Sequence, residues 1–199
     1  MKKAITFFLI LVTHVSFSQI GVRGYQFRPT GELGFVMNKT FSGEILLLHD
    51  FEETWRGRFG LSFISLKPRL DTFPVIAIMY SSGTTVLPGY QVFHKYNITL
   101  ISAGVDYAVL KKESFFLYPG IDLIAGGVSI DYDAYYETYK SESYSGGGLL
   151  AGFKFRAGAE YAFHDNAGIF LEANRSMYLV TEQGFLSHNE YGLGFRYKF

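Results

Sequence analysis

Apolar and polar positions alternate with a period of two over long stretches of this chain, most plainly in its last nine residues. In YGLGFRYKF, Tyr191, Leu193, Phe195, Tyr197 and Phe199 share one face, and Gly192, Gly194, Arg196 and Lys198 share the other. Side chains of a β-strand point to opposite faces in turn, so this predicts a strand with one oily face and one small or cationic face. The design recurs upstream. LLAGFKFRAGAEYAF sets Leu149, Ala151, Phe153, Phe155, Ala157, Ala159, Tyr161 and Phe163 against Gly152, Lys154, Arg156, Gly158 and Glu160. NITLISAGVDYAVL sets Thr99, Ile101, Ala103, Val105, Tyr107 and Val109 against Ser102, Gly104 and Asp106. SFFLYPGIDLIAGG sets Phe115, Leu117, Ile121, Leu123 and Ala125 against Tyr118, Gly120, Asp122 and Gly126. WRGRFGLSF sets Trp55, Phe59, Leu61 and Phe63 against Arg56, Arg58, Gly60 and Ser62, and AGIFLEANRS sets Ile169, Leu171 and Ala173 against Glu172 and Asn174.

These strands outrun the usual soluble strand of about five or six residues and suit a tilted strand that crosses a bilayer in about 9–11 residues. In a soluble sandwich the oily face would be the core, and the water-facing side would not carry so much glycine. In a membrane barrel the oily face meets lipid, and a narrow interior asks for small residues and paired charges. The pattern therefore predicts an all-β fold, an antiparallel transmembrane β-barrel.

The connections fit an alternation of short periplasmic turns with longer external loops. Counting back from the end of the chain, TEQGFLSHN is long, HDN short, 131–147 long, KKE short, 81–95 long and KPRLD fairly short. Eight strands can be placed from Thr40 onward, beginning with FSGEILLLHDF. IGVRGYQF and GELGFVM add two more, making ten, or form a segment inside or beneath the barrel. Pro68 and Pro74 are expected to flank a turn.

The amino terminus changes the picture next. MKKAITFFLILVTHVSFSQ has Lys2 and Lys3, an apolar stretch from Ala4 to Val12, and Ser16 and Ser18 around Phe17. These are the parts of a secretory signal peptide at 1–18, which leaves a barrel domain at 19–199. The apolar stretch is too short to span about 30 Å of hydrocarbon. With 18 basic and 18 acidic residues the formal charge is zero, so there is no electrostatic footprint for nucleic acid. The absence of cysteine excludes disulfides, thiol nucleophiles and thiolate metal sites.

With these features on the page, the chain resembles the small outer-membrane β-barrel proteins of Gram-negative bacteria, the group that includes OmpA-type and OmpX-type barrels. The likeness is architectural over nearly all of 19–199, and its one motif-like element is the terminal GLGFRYKF. The resemblance implies that Leu193, Phe195, Tyr197 and Phe199 are read by the barrel-assembly machinery and that outer-membrane lipid surrounds the barrel; no residue pattern in the sequence calls for a cofactor.

Candidate chemistry follows from the predicted faces. Arg56, Arg58, Asp106, Asp122, Lys154, Arg156, Glu160, Glu172, Arg196 and Lys198 would point into a lumen little wider than its side chains, where they must pair. That reads as a salt-bridged plug, with a narrow ion path as the rival. Ser187, His188 and Glu190 are the best local trio for catalysis. Adjacent residues of a strand diverge, though, so Ser187 and His188 converge only if that stretch is loop. His49, His94 and His164 lack metal-ligand spacing, and Asp131 and Asp133 lack a calcium-loop pattern. Gly146 to Gly148 are not followed by the residues of a phosphate loop and suit a bend or tight packing at the rim. In the 131–145 region, Tyr132, Tyr135, Tyr136, Tyr139 and Tyr144 interleave with acids, which suits either an extended hairpin whose tyrosines stack on one another and on the membrane interface or contact with an envelope or extracellular protein. Trp55, Tyr161 and Tyr197 fit interfacial anchors. The expected role is structural or interactive, with a small channel for ions or solutes as the alternative and a barrel enzyme acting on lipid or peptide as the third.

Overall fold

The computed structural model describes residues 18–70, 73–80, 84–136, 139–181 and 184–199. The expected signal peptide, all but Ser18, lies outside the described residues. The elements are β1 (Gln19–Thr30), a short helix α1 (Gly31–Val36), β2 (Thr40–Asp50), β3 (Trp55–Leu66), β4 (Phe73–Tyr80), β5 (Thr84–Tyr107), β6 (Leu110–Lys112), β7 (Phe115–Tyr136), β8 (Tyr139–His164), β9 (Ala167–Val180) and β10 (Gly184–Lys198). Antiparallel pairing runs β5-β3-β2-β1-β10-β9-β8-β7 and closes through β5 on β7, which gives an eight-stranded barrel. The first and last barrel strands pair over their whole lengths, from Gln19 opposite Lys198 to Thr30 opposite Ser187.

Seven barrel strands, not eight, follow Thr40, and IGVRGYQF supplies the other as β1. GELGFVM is largely α1, which leaves β1 at Gly31, whose φ of 63° suits a residue without a Cβ. β4 and β6 stand outside the ring. β6 is a small ladder beside the start of β7, and β4 pairs only with the far end of β5. KPRLD is not a turn at the end of the barrel that carries the chain termini. Pro68 bridges Met37 at the opposite end, Asn38 N–H donates to the Lys67 carbonyl at 2.8 Å, and the chain then runs on into β4. The short turn that closes β2 on β3 is instead 51–54.

The stretches expected as long loops are mostly strand. β3 pairs with β5 from Tyr96 onward, whereas β5 continues back to Thr84. β7 and β8 likewise stay paired up to Tyr136 opposite Tyr139, well past the point where β9 stops. One side of the wall thus rises beyond the barrel as a four-stranded sheet, β4-β5-β7-β8. The turns at the other end are short, which makes the projecting end external.

The outward faces are oily on every ring strand. Leu123, Leu171 and Leu193 are 62%, 61% and 58% exposed, and Trp55, Tyr107, Tyr161, Phe163, Tyr197 and Phe199 form an aromatic girdle near the short turns. No helix among the described residues is long and apolar enough to cross a membrane.

Inward positions do not follow the expected rule of glycine or charge along their whole length. Near the short turns they mostly do, with Leu46, Leu48 and Phe170 as a small buried apolar group among them. Toward the external end they are apolar: Tyr25, Phe27, Ile64, Leu66, Ile98, Leu100, Ile124, Val128, Leu150, Tyr178 and Val180 form one buried cluster, closed over by Met37 from the connection after α1. In that zone both faces of a strand are oily, so alternation disappears from the sequence. The lumen therefore has two storeys, a charged one and an apolar one.

Candidate functional site

The charged storey is built by the strand pleat. Arg23 on β1, Glu44 on β2, Arg56 and Arg58 on β3, Asp106 on β5, Asp122 on β7, Lys154, Arg156 and Glu160 on β8, Glu172 on β9, and Glu190 and Arg196 on β10 all turn inward. Glycines on the same face make room for them. A Cβ at Gly120 would collide with the Asp106 carboxylate and the Arg156 guanidinium, and one at Gly158 would stand inside the Tyr118 ring. This is the use of the glycine-rich polar faces: each opens space for a long side chain from a neighbouring strand.

Six cations meet six inward carboxylates and, at the rim, Asp50. Arg156 forks onto Asp106, at 2.8 and 2.6 Å, and onto Asp122, at 2.7 and 3.0 Å. Arg23 reaches Glu172 at 2.9 Å, Glu190 at 2.5 Å and Glu44 at 2.7 Å. Arg58 pairs with Glu172 and lies 3.4 Å from Glu44, and Lys154 donates to Glu44 at 3.1 Å. Arg56 bridges Glu160 at 2.7 Å and Asp50 at 3.2 Å, while Arg196 pairs with Glu160 and donates to Gln19 at 2.9 Å. Glu172 is the hub, since it also accepts from the Tyr118 hydroxyl at 2.9 Å. Charge-assisted bonds of this kind are roughly twice as strong as neutral ones and offset the cost of taking the ions out of bulk water.

Nine of the ten expected interior charges lie in this network. The tenth, Lys198, is exposed at the mouth, because β10 ends there and the barrel no longer encloses its side chain. Arg23, Glu44 and Glu190 belong to the network although the sequence reading did not place them in it. Their signal was present: Gln19, Gly21, Arg23, Tyr25 and Phe27 alternate, as do Glu44, Leu46 and Leu48.

His188 and Glu190 face the lumen together, 2.9 Å apart, where the His188 ring stacks on Phe27 at 4.1 Å between centroids. Ser187 lies on the opposite face of β10 and meets the Thr30 hydroxyl at 2.6 Å. The stretch is strand, so the trio does not converge.

Below the charged storey a polar vestibule of about 420 Å³ opens at the short-turn end, between Asp50, Arg56, Asp106, Tyr118 and Arg196. It stops at the paired charges, with the apolar cluster beyond them.

The tyrosines of the projecting sheet divide between its two faces. Tyr132 packs on the apolar cluster and stacks on Tyr144 with ring centroids 5.0 Å apart, and Gly146 leaves room for the Tyr144 ring. Tyr135 stacks on Tyr90 at 4.9 Å on the other face, and Tyr136 and Tyr139 are cross-strand partners at the tip. Asp133 holds His94 at 2.9 Å, and its carboxyl is kept below the usual carboxylate range by hydrogen bonds from Ser143 and then His94. At the carboxy terminus, Phe195 and Tyr197 face outward, while Phe199 is largely exposed and its N–H donates to the Ser18 carbonyl at 2.9 Å.

A closed antiparallel barrel with an oily exterior, an aromatic girdle and a charge-filled interior is an outer-membrane β-barrel. One solved structure agrees at the level of fold, and two others match less closely. Neisserial surface protein A superposes with a TM-score of 0.62 at 16% identity, over 91% of this chain and 96% of that one. The attachment invasion locus protein of Yersinia pestis, solved with the heparin analogue sucrose octasulfate, gives 0.48 at 16% identity, over 91% and 97%. The N-terminal β-barrel domain of Pseudomonas aeruginosa OprF gives 0.43 at 12% identity, over 90% and 98%. No family model matches the chain, and no curated protein matches it.

Proposed function

We propose that the protein is a sealed barrel of the Gram-negative outer membrane whose task is contact rather than transport, exported by cleavage of residues 1–18 and assembled through its last strand. The observation that carries this reading is the two-storey lumen: a layer of matched ion pairs beneath an apolar cluster that Met37 closes. Such an interior makes a rigid post, and the sheet β4-β5-β7-β8 stands on it. Tyr90 and Tyr144, 45% and 44% exposed on that sheet, offer the amphipathic rings that favour protein contact at low entropic cost. A photocrosslinking residue placed at Tyr90 or Tyr144 on intact cells should capture an envelope or extracellular protein, while the same residue at Leu100 in the lumen should capture none. Adducts confined to lipid at both external positions would defeat this reading.

A small channel is the second reading, favoured by the vestibule that enters from the short-turn end. It requires the ion pairs to rearrange and the apolar cluster to part.

A further inference from the structure

Every cation of the lumen has a carboxylate partner, but two arginines on the outward face of the ring strands do not. Arg28 on β1 and Arg175 on β9 are exposed, and neither meets a carboxylate among the described residues. Both face outward in one cross-strand row, with Asn189 of β10 opposite each of them. Their neighbours hold rather than neutralise them. Arg28 donates to the Gln26 side chain at 2.6 Å and lies 5.3 Å from the centre of the Tyr191 ring, while Arg175 donates to Asn189 at 3.1 Å.

Their height decides what they meet. The eight steps from Ile20 to Arg28, at about 3.3 Å each and tilted about 40°, rise roughly 20 Å, most of an apolar band about 25 Å tall. Ala167 to Arg175 rises as far. The two guanidinium groups therefore lie toward the external edge of the apolar band, where an arginine on the lipid face costs far less than at the midplane.

Directly beneath this row the oily belt is hollow. Gly24, Ala157 and Ala173 are small, Phe41, Tyr191 and Leu171 stand around them, and together they border an open groove of about 850 Å³. Tyr191 and Gln26 line the groove and also hold Arg28, and Ala173 is the position on the same face next to Arg175.

We propose that this groove holds an acyl chain of a phosphorylated lipid of the external leaflet, with its phosphate between Arg28 and Arg175. The two strand spacings between the arginines, roughly 10 Å, are bridged by a phosphate that both long side chains can reach. Asn189 between them supplies an amide at the same level. The site selects for an anionic head and a chain at once, which neither a neutral lipid nor a free phosphate provides.

The test uses the full barrel in a neutral maltoside detergent, its folding checked by heat-modifiable migration, and native mass spectrometry with three probes. These are dioleoyl phosphatidic acid, dioleoylglycerol and glycerol 3-phosphate. The wild type should retain one phosphatidic acid and neither of the other two. R28Q/R175Q should bind it about thirtyfold more weakly, from about 1 kcal/mol for each cation near a charged lipid surface. A173W, which fills the groove and leaves both arginines in place, should lose it as well. Equal retention of phosphatidic acid by folded R28Q/R175Q or A173W would overturn the proposal, as would glycerol 3-phosphate binding as tightly as the lipid.

Discussion

Glu172 carries more of the lumen than any other single side chain, because Arg23, Arg58 and the Tyr118 hydroxyl all converge on its two oxygens. Replacing it with alanine leaves two buried guanidinium groups short of a partner, and breaking a buried pair in this way costs about 3–5 kcal/mol. Refolded Glu172→Ala should therefore show a clearly lower urea midpoint in micelles, and an unchanged midpoint would mean that water already screens the network. Asp133 offers a different residue-level test, outside the membrane. Its carboxyl is lowered below the ordinary value, so the stabilisation it gives the Ser143 and His94 contacts is present above about pH 4 and is lost as pH falls through its folded value. Amide protection in the β7–β8 hairpin should fall in that acid range and lose its pH dependence there in Asp133→Asn. At this scale the sequence was partly legible. Arg156, Asp106 and Asp122 follow from alternation, since each lies in a long run with one oily face. Ile98, Leu100 and Ile124 do not, because apolar residues on both faces of a strand erase the period that would reveal them.

Among the elements, β10 and the β7–β8 hairpin have separable roles. β10 pairs with both β1 and β9, so it closes the ring, and its outward row ends on the exposed Phe199. Phe199→Ser should lower the yield of folded protein in cells and leave the urea midpoint of refolded protein nearly unchanged, since Phe199 buries little. Equal loss in both assays would make Phe199 a stability residue and not an assembly signal. The hairpin segment 131–145 lies beyond the last β9 pairing, and replacing it with an Asn-Gly turn should keep a heat-modifiable barrel. Loss of folding would show that Tyr132, which packs on the apolar cluster, is needed as a lid. Strand identity was readable in the alternating runs 97–107, 115–127, 149–163, 167–176 and 190–198. The turn at HDN was readable too, whereas KKE reaches its turn only at Glu113, because Lys111 and Lys112 pair with β7 as β6. KPRLD misled because its Pro-rich, charged composition is that of a turn, while its backbone continues a strand edge by bridging Met37. The long loops misled for the opposite reason. Polar, tyrosine-rich segments alternate weakly, yet they extend the ladder because their partners across the sheet are equally long.

For the molecule as a whole, function turns on whether the lumen is a wall or a path. Closure of eight strands leaves an interior that side chains can fill, and here they fill it twice, with matched charges near the short turns and with apolar groups toward the exterior. Ion pairs alone could rearrange around a passing ion. An apolar storey above them adds a dehydrated barrier that charged solutes cross only at a high cost. The most direct measurement is single-channel conductance of refolded protein in a planar bilayer, with folding confirmed by heat-modifiable migration. The sealed barrel predicts no reproducible steps, whereas reproducible steps that change in Arg156→Ala or Glu160→Ala would contradict it and make the charged storey an ion path.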